Sequence, residues 1–192
     1  MAKQRVELTG PEAAAFARQH GLPVPKGAAL VKVTVAPSEA ARPRFQQSAD
    51  GIQPVWGMPR YYLQNIRWTE GCGTAAIRST SGQGPASLSL EVHHGVNATW
   101  HANVGISASI VSAGIGFDVT SDFQITALYQ VEIPAGETWA IRAYPTYDIA
   151  AFEVWHNPLV GDRYRVGQGE AHIPSGVCFV VYDFRQAQSL PA

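Results

Sequence analysis

The sequence predicts an all-β fold: an elongated antiparallel β-sheet or sandwich with a long amphipathic hairpin and a short N-terminal helix. Charged residues make up only 15% of the 192 residues, below the roughly 25% of an average soluble domain. The charged surface of a typical helical protein is therefore missing. The 18 glycines and 13 prolines are spread along the chain, which indicates many turns. Apolar residues also alternate with polar ones over unusually long stretches, as strands require.

Length and charge limit the organisation and the partners. We expect an N-terminal arm over residues 1–55, an antiparallel β domain over 56–185 and a tail over 186–192. The formal net charge of -1 argues against a nucleic-acid partner, because such proteins carry a basic surface. We expect no membrane helix, because no apolar stretch is long enough, and no N-terminal signal peptide, because the first residues have no apolar core region. We expect a protein made in soluble form, either cytoplasmic or released to act at a target membrane.

The N-terminal arm contains one clear helix signal. Thr9 and Glu12 have the spacing of a capping box, with a proline between them, and an alanine-rich run follows. Gly21 is placed to end this helix. A short strand is predicted at Ala29–Val35, and the Pro-rich stretch 36–54 is predicted to be a loop or arm.

Two alternating runs occupy the middle of the chain. Every even-numbered residue from 96 to 110 is apolar, and most odd-numbered residues from 113 to 133 are apolar, with Leu128 out of phase. The phase changes at Ile110-Val111, as it does at a turn or bulge between strands. We therefore predict one long antiparallel hairpin that turns near Val111–Gly116. A helix is disfavoured, because residues two apart scatter around its surface.

Two uses would explain so long a hairpin. Its apolar face packs on another sheet in an elongated sandwich, or the hairpin is stored that way and later inserted into an oligomeric β-barrel. A membrane strand needs about 9–11 residues, and both runs are long enough. Residues 79–141 contain no Lys or Arg, although they include five acidic residues.

A Pro-Gly turn follows the second run, between the strand that ends at Ile133 and a new strand that begins at Trp139. Over roughly residues 86–155 the chain resembles the aerolysin-like family of β-pore-forming toxins, which combine Ser/Thr-rich long strands and an amphipathic hairpin with a similar turn. The resemblance implies a homo-oligomer that binds a membrane lipid or glycan receptor and inserts a hairpin within Val104–Val119. The apolar residues that would enter the membrane are Val104, Ile106, Ile110, Ile115, Phe117 and Val119. Unlike the family, this chain is short and shows no separate receptor-binding domain.

An aromatic cluster precedes these runs. It comprises Trp56, Tyr61, Tyr62 and Trp68, close to two arginines. One interpretation is a strand with core and rim aromatics, and the other is a surface that binds a ligand or glycan through stacked rings.

Histidines invite two further hypotheses. His93 and His101 share a face of the predicted strand but lie more than about 20 Å apart along it, so they cannot ligate one metal ion, and we predict no metal site. A pH switch is the second hypothesis, because both would lie near acidic positions of the partner strand and histidine titrates near neutrality.

Enzyme chemistry is not predicted, and no cofactor is expected. The chain lacks a Gly-x-Ser-x-Gly, phosphate-loop, CxxC or HExxH motif. Cys178 lies in an apolar strand, where an inert buried thiol is expected, and we predict that Cys72 is also reduced. The alternative to a pore-forming protein is a non-enzymatic β-sandwich that binds a ligand or self-assembles.

The C-terminal part supplies further strands. We predict four of them, Trp139–Tyr147, Ile149–Trp155, Tyr164–Val166 and Val177–Phe184, with a Gly-rich turn before the last.

Overall fold

The computed structural model describes residues 4–38 and 60–184. Within these ranges the chain forms two antiparallel sheets and two helices, so the predicted all-β class is confirmed. The strands are β1 (Val6–Thr9), β2 (Ala29–Pro37), β3 (Arg60–Cys72), β4 (Arg78–Gln83), β5 (Ala86–Asn97), β6 (Thr99–Ala102), β7 (Asp122–Ile133), β8 (Thr138–Asn157) and β9 (Tyr164–Asp183). The helices are α1 (Gly10–Gln19) and α2 (Ala108–Ile115).

β8 and β9 form the long hairpin at the centre of the fold. Each strand has 20 residues, and their pairing extends from Trp139 opposite Asp183 to His156 opposite Tyr164. We call the first of these the base end and the second, which carries the turn 158–163, the turn end. At about 3.3 Å per residue each strand is about 65 Å long.

The prediction of four shorter strands in this region is wrong. The Gly-rich stretch predicted to be a turn lies inside β9. A Cβ at Gly169 or Gly176 would collide with the backbone of a neighbouring segment. These glycines therefore permit a close approach of two segments and do not reverse the chain.

The other strands of the large sheet divide between the two ends. β2 pairs with β9 and β4 pairs with β8 near the base end, while β1 extends the sheet beyond β2. Towards the turn end, β3 pairs with β8 and β6 pairs with β9. The strands of the predicted N-terminal arm thus belong to the same sheet as the β domain.

Three apolar clusters form the core. The first joins the β5–β7 hairpin to the base half of the large sheet, with Tyr129 stacked 5.1 Å from Phe179. α1 packs on the opposite face of that half, against Val180 and Tyr182, because alternate residues of a strand face opposite sides. The second cluster joins α2 to the half near the turn end, around Phe152.

The N-terminal helix is confirmed, although its capping differs from the prediction. Thr9 is the N-cap residue, but its side chain makes no capping hydrogen bond. Gly21 lies beyond the C-cap with φ of 63°, and the Leu22 N–H donates to the Ala17 carbonyl oxygen over 2.9 Å. This is the glycine-dependent helix end that the sequence predicts.

The predicted hairpin that turns near Val111–Gly116 is wrong as secondary structure. β5 ends at Asn97, β7 begins at Asp122, and β6, the loop 103–107 and α2 lie between them. Alternation alone could not reveal this, because a segment that packs on a sheet through a short strand, a loop and a helix buries a similar set of side chains. Most of the predicted loop 36–54 and the tail 186–192 lie outside the described residues, as does Trp56.

Candidate functional site

The segment 98–121, between β5 and β7, contains all the residues predicted to enter a membrane. Val104 and Ile106 lie in the loop 103–107, Ile110 and Ile115 in α2, and Phe117 and Val119 after α2. Except for Ile110, which is half-buried, they belong to or pack against the second core cluster. Their role in a membrane stays a prediction.

α2 is a helix because of its packing and not because of its sequence. It has eight residues, fewer than the about 12–15 that an isolated helix needs in water. β-Branched Ile110 and Val111 and the glycine at 114 are weak helix formers. Val111 and Ile115, four residues apart, are buried together on one face. The helix therefore depends on the sheet beneath it.

Three contacts hold the segment in place. A Cβ at Gly114 would lie 2.6 Å from Cγ and 2.9 Å from Cβ of Leu63, so α2 approaches β3 very closely. The Ser112 hydroxyl accepts a buried hydrogen bond of 3.1 Å from the Val119 N–H. The Phe117 ring lies edge-on to an exposed tryptophan, Trp68, with centroids 6.2 Å apart.

The pairing of β5 with β7 has one register throughout. Val96 lies opposite Phe123, and Asn97 lies opposite Asp122. One further hydrogen bond, 3.2 Å from the Ala98 N–H to the Ser121 carbonyl oxygen, continues this register beyond both strands. The segment 98–121 is therefore already joined at its two ends as the next rung of the same ladder.

If the register of β5 with β7 is continued through the whole segment, every pair after Ala98 with Ser121 places apolar residues on one face and polar residues on the other. Starting from Ala98 opposite Ser121, it ends with Ala108 opposite Val111, a two-residue turn at 109–110. The apolar pairs would be Trp100 with Val119, Ala102 with Phe117, Val104 with Ile115, Ile106 with Ala113 and Ala108 with Val111. The opposite face would carry Thr99, His101, Asn103, Gly105, Ser107, Ser112, Gly114, Gly116, Asp118 and Thr120. The same sequence thus fits two structures, a helix-containing packing and a two-faced hairpin.

Two of the aromatic candidates lie near the turn end. Tyr61 and Tyr62 lie on β3 opposite His156 and Trp155 of β8. Trp68 lies on the same strand but is separated from them and covers Phe117. The described structure therefore places Trp68 with the segment 98–121 and the two tyrosines near the turn end, Tyr61 beside the His156 ring and Tyr62 beside Arg163.

The two candidate pH-switch histidines have different acidic neighbours. His93 Nε2 lies 2.9 Å from a carboxylate oxygen of Glu91. Glu91 lies on the same strand as His93, whereas the sequence predicted an acidic neighbour on the partner strand. His101 Nδ1 lies 4.0 Å from a carboxylate oxygen of Glu170 on β9. The role of these two histidines as a pH switch stays a prediction.

A metal site is not assembled in the described part of the chain. It contains no cluster of three or more His, Cys, Asp or Glu side chains that could hold a metal ion. Cys72 and Cys178 are both free thiols. The neighbouring Cys72 thiol and burial together raise the pKa of the Cys178 thiol far above its usual value, which keeps it protonated and unreactive.

A cavity of about 490 Å³ lies between α1 and the large sheet. Its lining is mainly apolar, with Phe16 and Val35 among the side chains, while His20 and Cys72 add polar atoms. Burial lowers the pKa of His20 below its ordinary value. The volume is in the range of small-molecule sites.

Comparisons with known proteins add no assignment. A search against protein-family models found no match for the chain, and a search of curated proteins found none either. Among the described residues, neither helix has the length and apolar character needed to cross a membrane.

Sequence reasoning missed the turn 158–163 between β8 and β9. Leu159 and Val160 are 72% and 90% exposed there. The available signal was a pair of adjacent apolar residues between a proline and a glycine, where a turn usually carries polar residues.

Proposed function

We propose that this chain is a pore-forming protein that oligomerises on a target membrane and inserts a β-hairpin formed by residues 98–121. The observation that supports it best is the register of β5 with β7. Continued through the segment, that register gives a hairpin with one apolar and one polar face. Lipid-facing and water-facing side chains alternate in the same way along transmembrane β-strands.

The dimensions of the extended hairpin fit a bilayer. It adds 11 residue pairs, from Ala98 with Ser121 to Ala108 with Val111. At about 3.4 Å per residue this is about 37 Å, and a tilted membrane strand needs about 9–11 residues. The segment contains no Lys or Arg, and its one carboxylate, Asp118, would lie on the polar face of the extended hairpin.

Oligomerisation follows from hydrogen bonding. One hairpin supplies two strands, and its two edges would leave unpaired N–H and C=O groups in lipid, which only a closed barrel satisfies. The smallest membrane barrels have about eight strands, so about four copies or more are required. The partner in the membrane is therefore a second copy of this chain.

The pore proposal requires α2 to leave β3, and a disulfide between them tests this step. In a Leu63→Cys, Gly114→Cys variant the two Cβ atoms start about 2.9 Å apart, and a small shift brings them to the roughly 3.5–4.5 Å of a disulfide. We expect the oxidised variant to release no dye from phosphatidylcholine vesicles and to regain release when a reductant is added. Each single cysteine variant, oxidised in the same way, is the control.

Two results would contradict the proposal. The first is equal dye release by the oxidised and reduced double variant, after mass spectrometry has verified that the disulfide joins positions 63 and 114 and involves neither Cys72 nor Cys178. The second is the absence of dye release and of detergent-resistant oligomers when the unmodified protein is bound to vesicles.

The cavity beside α1 favours a second candidate function, the binding of a small apolar molecule with a polar group. Filling the cavity by Val35→Phe, at a residue that lines it and packs in the apolar cluster of α1, should abolish the uptake of a fluorescent fatty acid. Val24→Phe, at an exposed residue that does not line the cavity, is the matched control. Equal uptake by both variants would contradict this second function.

A further inference from the structure

Two apolar side chains project from the turn end. Leu159 and Val160 occupy the turn 158–163 and are 72% and 90% exposed, more than any other large hydrophobic residue of the described chain. Scattered exposed apolar residues are ordinary on a protein surface, but adjacent ones at the tip of a long hairpin form a projecting apolar point. Asp162 and Arg163 next to them have opposite charges, so the turn itself is nearly neutral.

An aromatic layer lies immediately behind this point. The His156 ring lies 5.1 Å from the ring of Tyr61 and 5.3 Å from that of Tyr164, which is itself half exposed. The Arg163 guanidinium lies 5.9 Å from the centroid of the Tyr62 ring. Tyrosine and tryptophan are enriched where a membrane meets water, because their rings are apolar and their polar atoms contact the headgroups.

The segment 98–121 lies close to the same end. The Asn103 N–H donates to the Gln168 carbonyl oxygen over 3.0 Å, four residues after the first residue of β9. Gly114 of α2 contacts Leu63, which pairs with Val154 of β8. A membrane at the turn end would therefore meet the segment that the proposed function inserts.

We infer that the turn 158–163 is the surface by which the protein binds a phospholipid bilayer. Leu159 and Val160 enter the boundary between headgroups and acyl chains, and Tyr61 and Tyr164, on either side of the His156 ring, lie at headgroup level. Since the turn is nearly neutral, apolar contact supplies the binding and anionic lipid is not required. This inference deepens the proposed function by naming the surface that first contacts the membrane. It rests on that function only for what the binding achieves, since the binding itself is tested separately.

Vesicle flotation tests the inference without reference to a pore. A Leu159→Ser, Val160→Ser variant should bind phosphatidylcholine vesicles at least about tenfold more weakly than the unmodified protein, because it loses two apolar side chains at the lipid boundary. The matched control is Val24→Ser, since Val24 is 49% exposed near the base end, where Tyr182 donates to the Pro23 carbonyl oxygen. Vesicles with added phosphatidylserine should give the same order of affinities.

The outcomes separate this inference from the proposed function. Binding that depends on Leu159 and Val160 without any dye release supports the inference and contradicts the pore. Dye release together with equal vesicle binding by the double variant and the unmodified protein contradicts the inference and leaves the pore. No binding by the unmodified protein to either vesicle, or binding only to vesicles that contain a glycolipid and equal for both proteins, also overturns the inference.

Discussion

The Val119 N–H donates to the Ser112 hydroxyl over 3.1 Å inside the protein, and this hydrogen bond joins α2 to the chain that follows it. In the extended hairpin Ser112 would instead lie on the polar face, opposite Ser107. The same hydroxyl thus stabilises the described fold but has no essential role in the inserted one.

Ser112→Ala should therefore favour conversion. Loss of the hydroxyl leaves the buried Val119 N–H without its partner, which costs about 1–3 kcal/mol of folding free energy. We expect a lower free energy of unfolding in urea together with faster dye release from vesicles. The control is Ser109→Ala, because Ser109 is exposed and its hydroxyl is hydrogen-bonded to the exposed Ser107 hydroxyl. Slower release by Ser112→Ala would argue that α2 is not the part that moves.

Gly114→Ala should weaken the contact between α2 and β3. Alanine is the better helix former by about 1 kcal/mol, but its Cβ would overlap Leu63, and overpacking costs about 1–3 kcal/mol. We expect a net loss of up to about 2 kcal/mol in urea unfolding. Adding Leu63→Ala makes room for the new methyl group, so the loss caused by Gly114→Ala should shrink in that background. Strict additivity of the two changes would refute the close contact.

The register predicts which side chains meet lipid. Single cysteines at 104, 105, 106 and 107, in a Cys72→Ser, Cys178→Ala background, would carry a fluorescent label. In vesicles, a lipid-attached quencher should reduce emission at positions 104 and 106, whereas iodide in water should reduce it at 105 and 107. Before vesicles are added, the lipid-attached quencher has no access to any of the four. Quenching without alternation would exclude a strand in this register.

Stability should depend on pH through His20. Burial holds its pKa below the usual value of about 6.5, so the unfolded chain takes up a proton first as the pH falls. The contribution of His20 to stability is complete above about pH 6.5 and is lost as the pH drops through the lower folded pKa. We expect a loss below about 1 kcal/mol, because part of the ring faces solvent.

His20→Gln should accordingly flatten the dependence of urea unfolding on pH between about 7 and 5. His94→Gln is the control, since His94 is exposed on β5. Identical pH profiles for His20→Gln and the unmodified protein would contradict the assignment.

The sequence predicts those parts of the fold that neighbouring residues determine. It predicts the candidate site only in part. The helix that ends at Gly21 follows from turn and capping residues within a few positions of each other. α2 was not predictable, because its stability comes from Leu63 and from the Ser112 hydroxyl, contacts between parts of the chain that alternation cannot relate. The alternation nevertheless has physical content, since continuing the pairing of Val96 with Phe123 would satisfy it fully. The exposure of Leu159 and Val160 could not be predicted, because the sequence of a turn does not show which of its side chains are covered by the rest of the fold.

The position of β6 has a consequence for the order of events. β6 covers Gly169–His172 on the side of β9 that faces away from β8, where no other described strand pairs with these residues. If residues 99–102 leave β9, as the pore proposal requires, that edge exposes unpaired backbone donors and acceptors, which can pair with another strand. A molecule that releases the segment away from a membrane would therefore aggregate through this exposed strand edge, whereas neighbouring molecules on a membrane could pair with one another's edges. Because β6 covers this edge until the segment is released, productive release requires that other copies of the protein lie close by on the membrane.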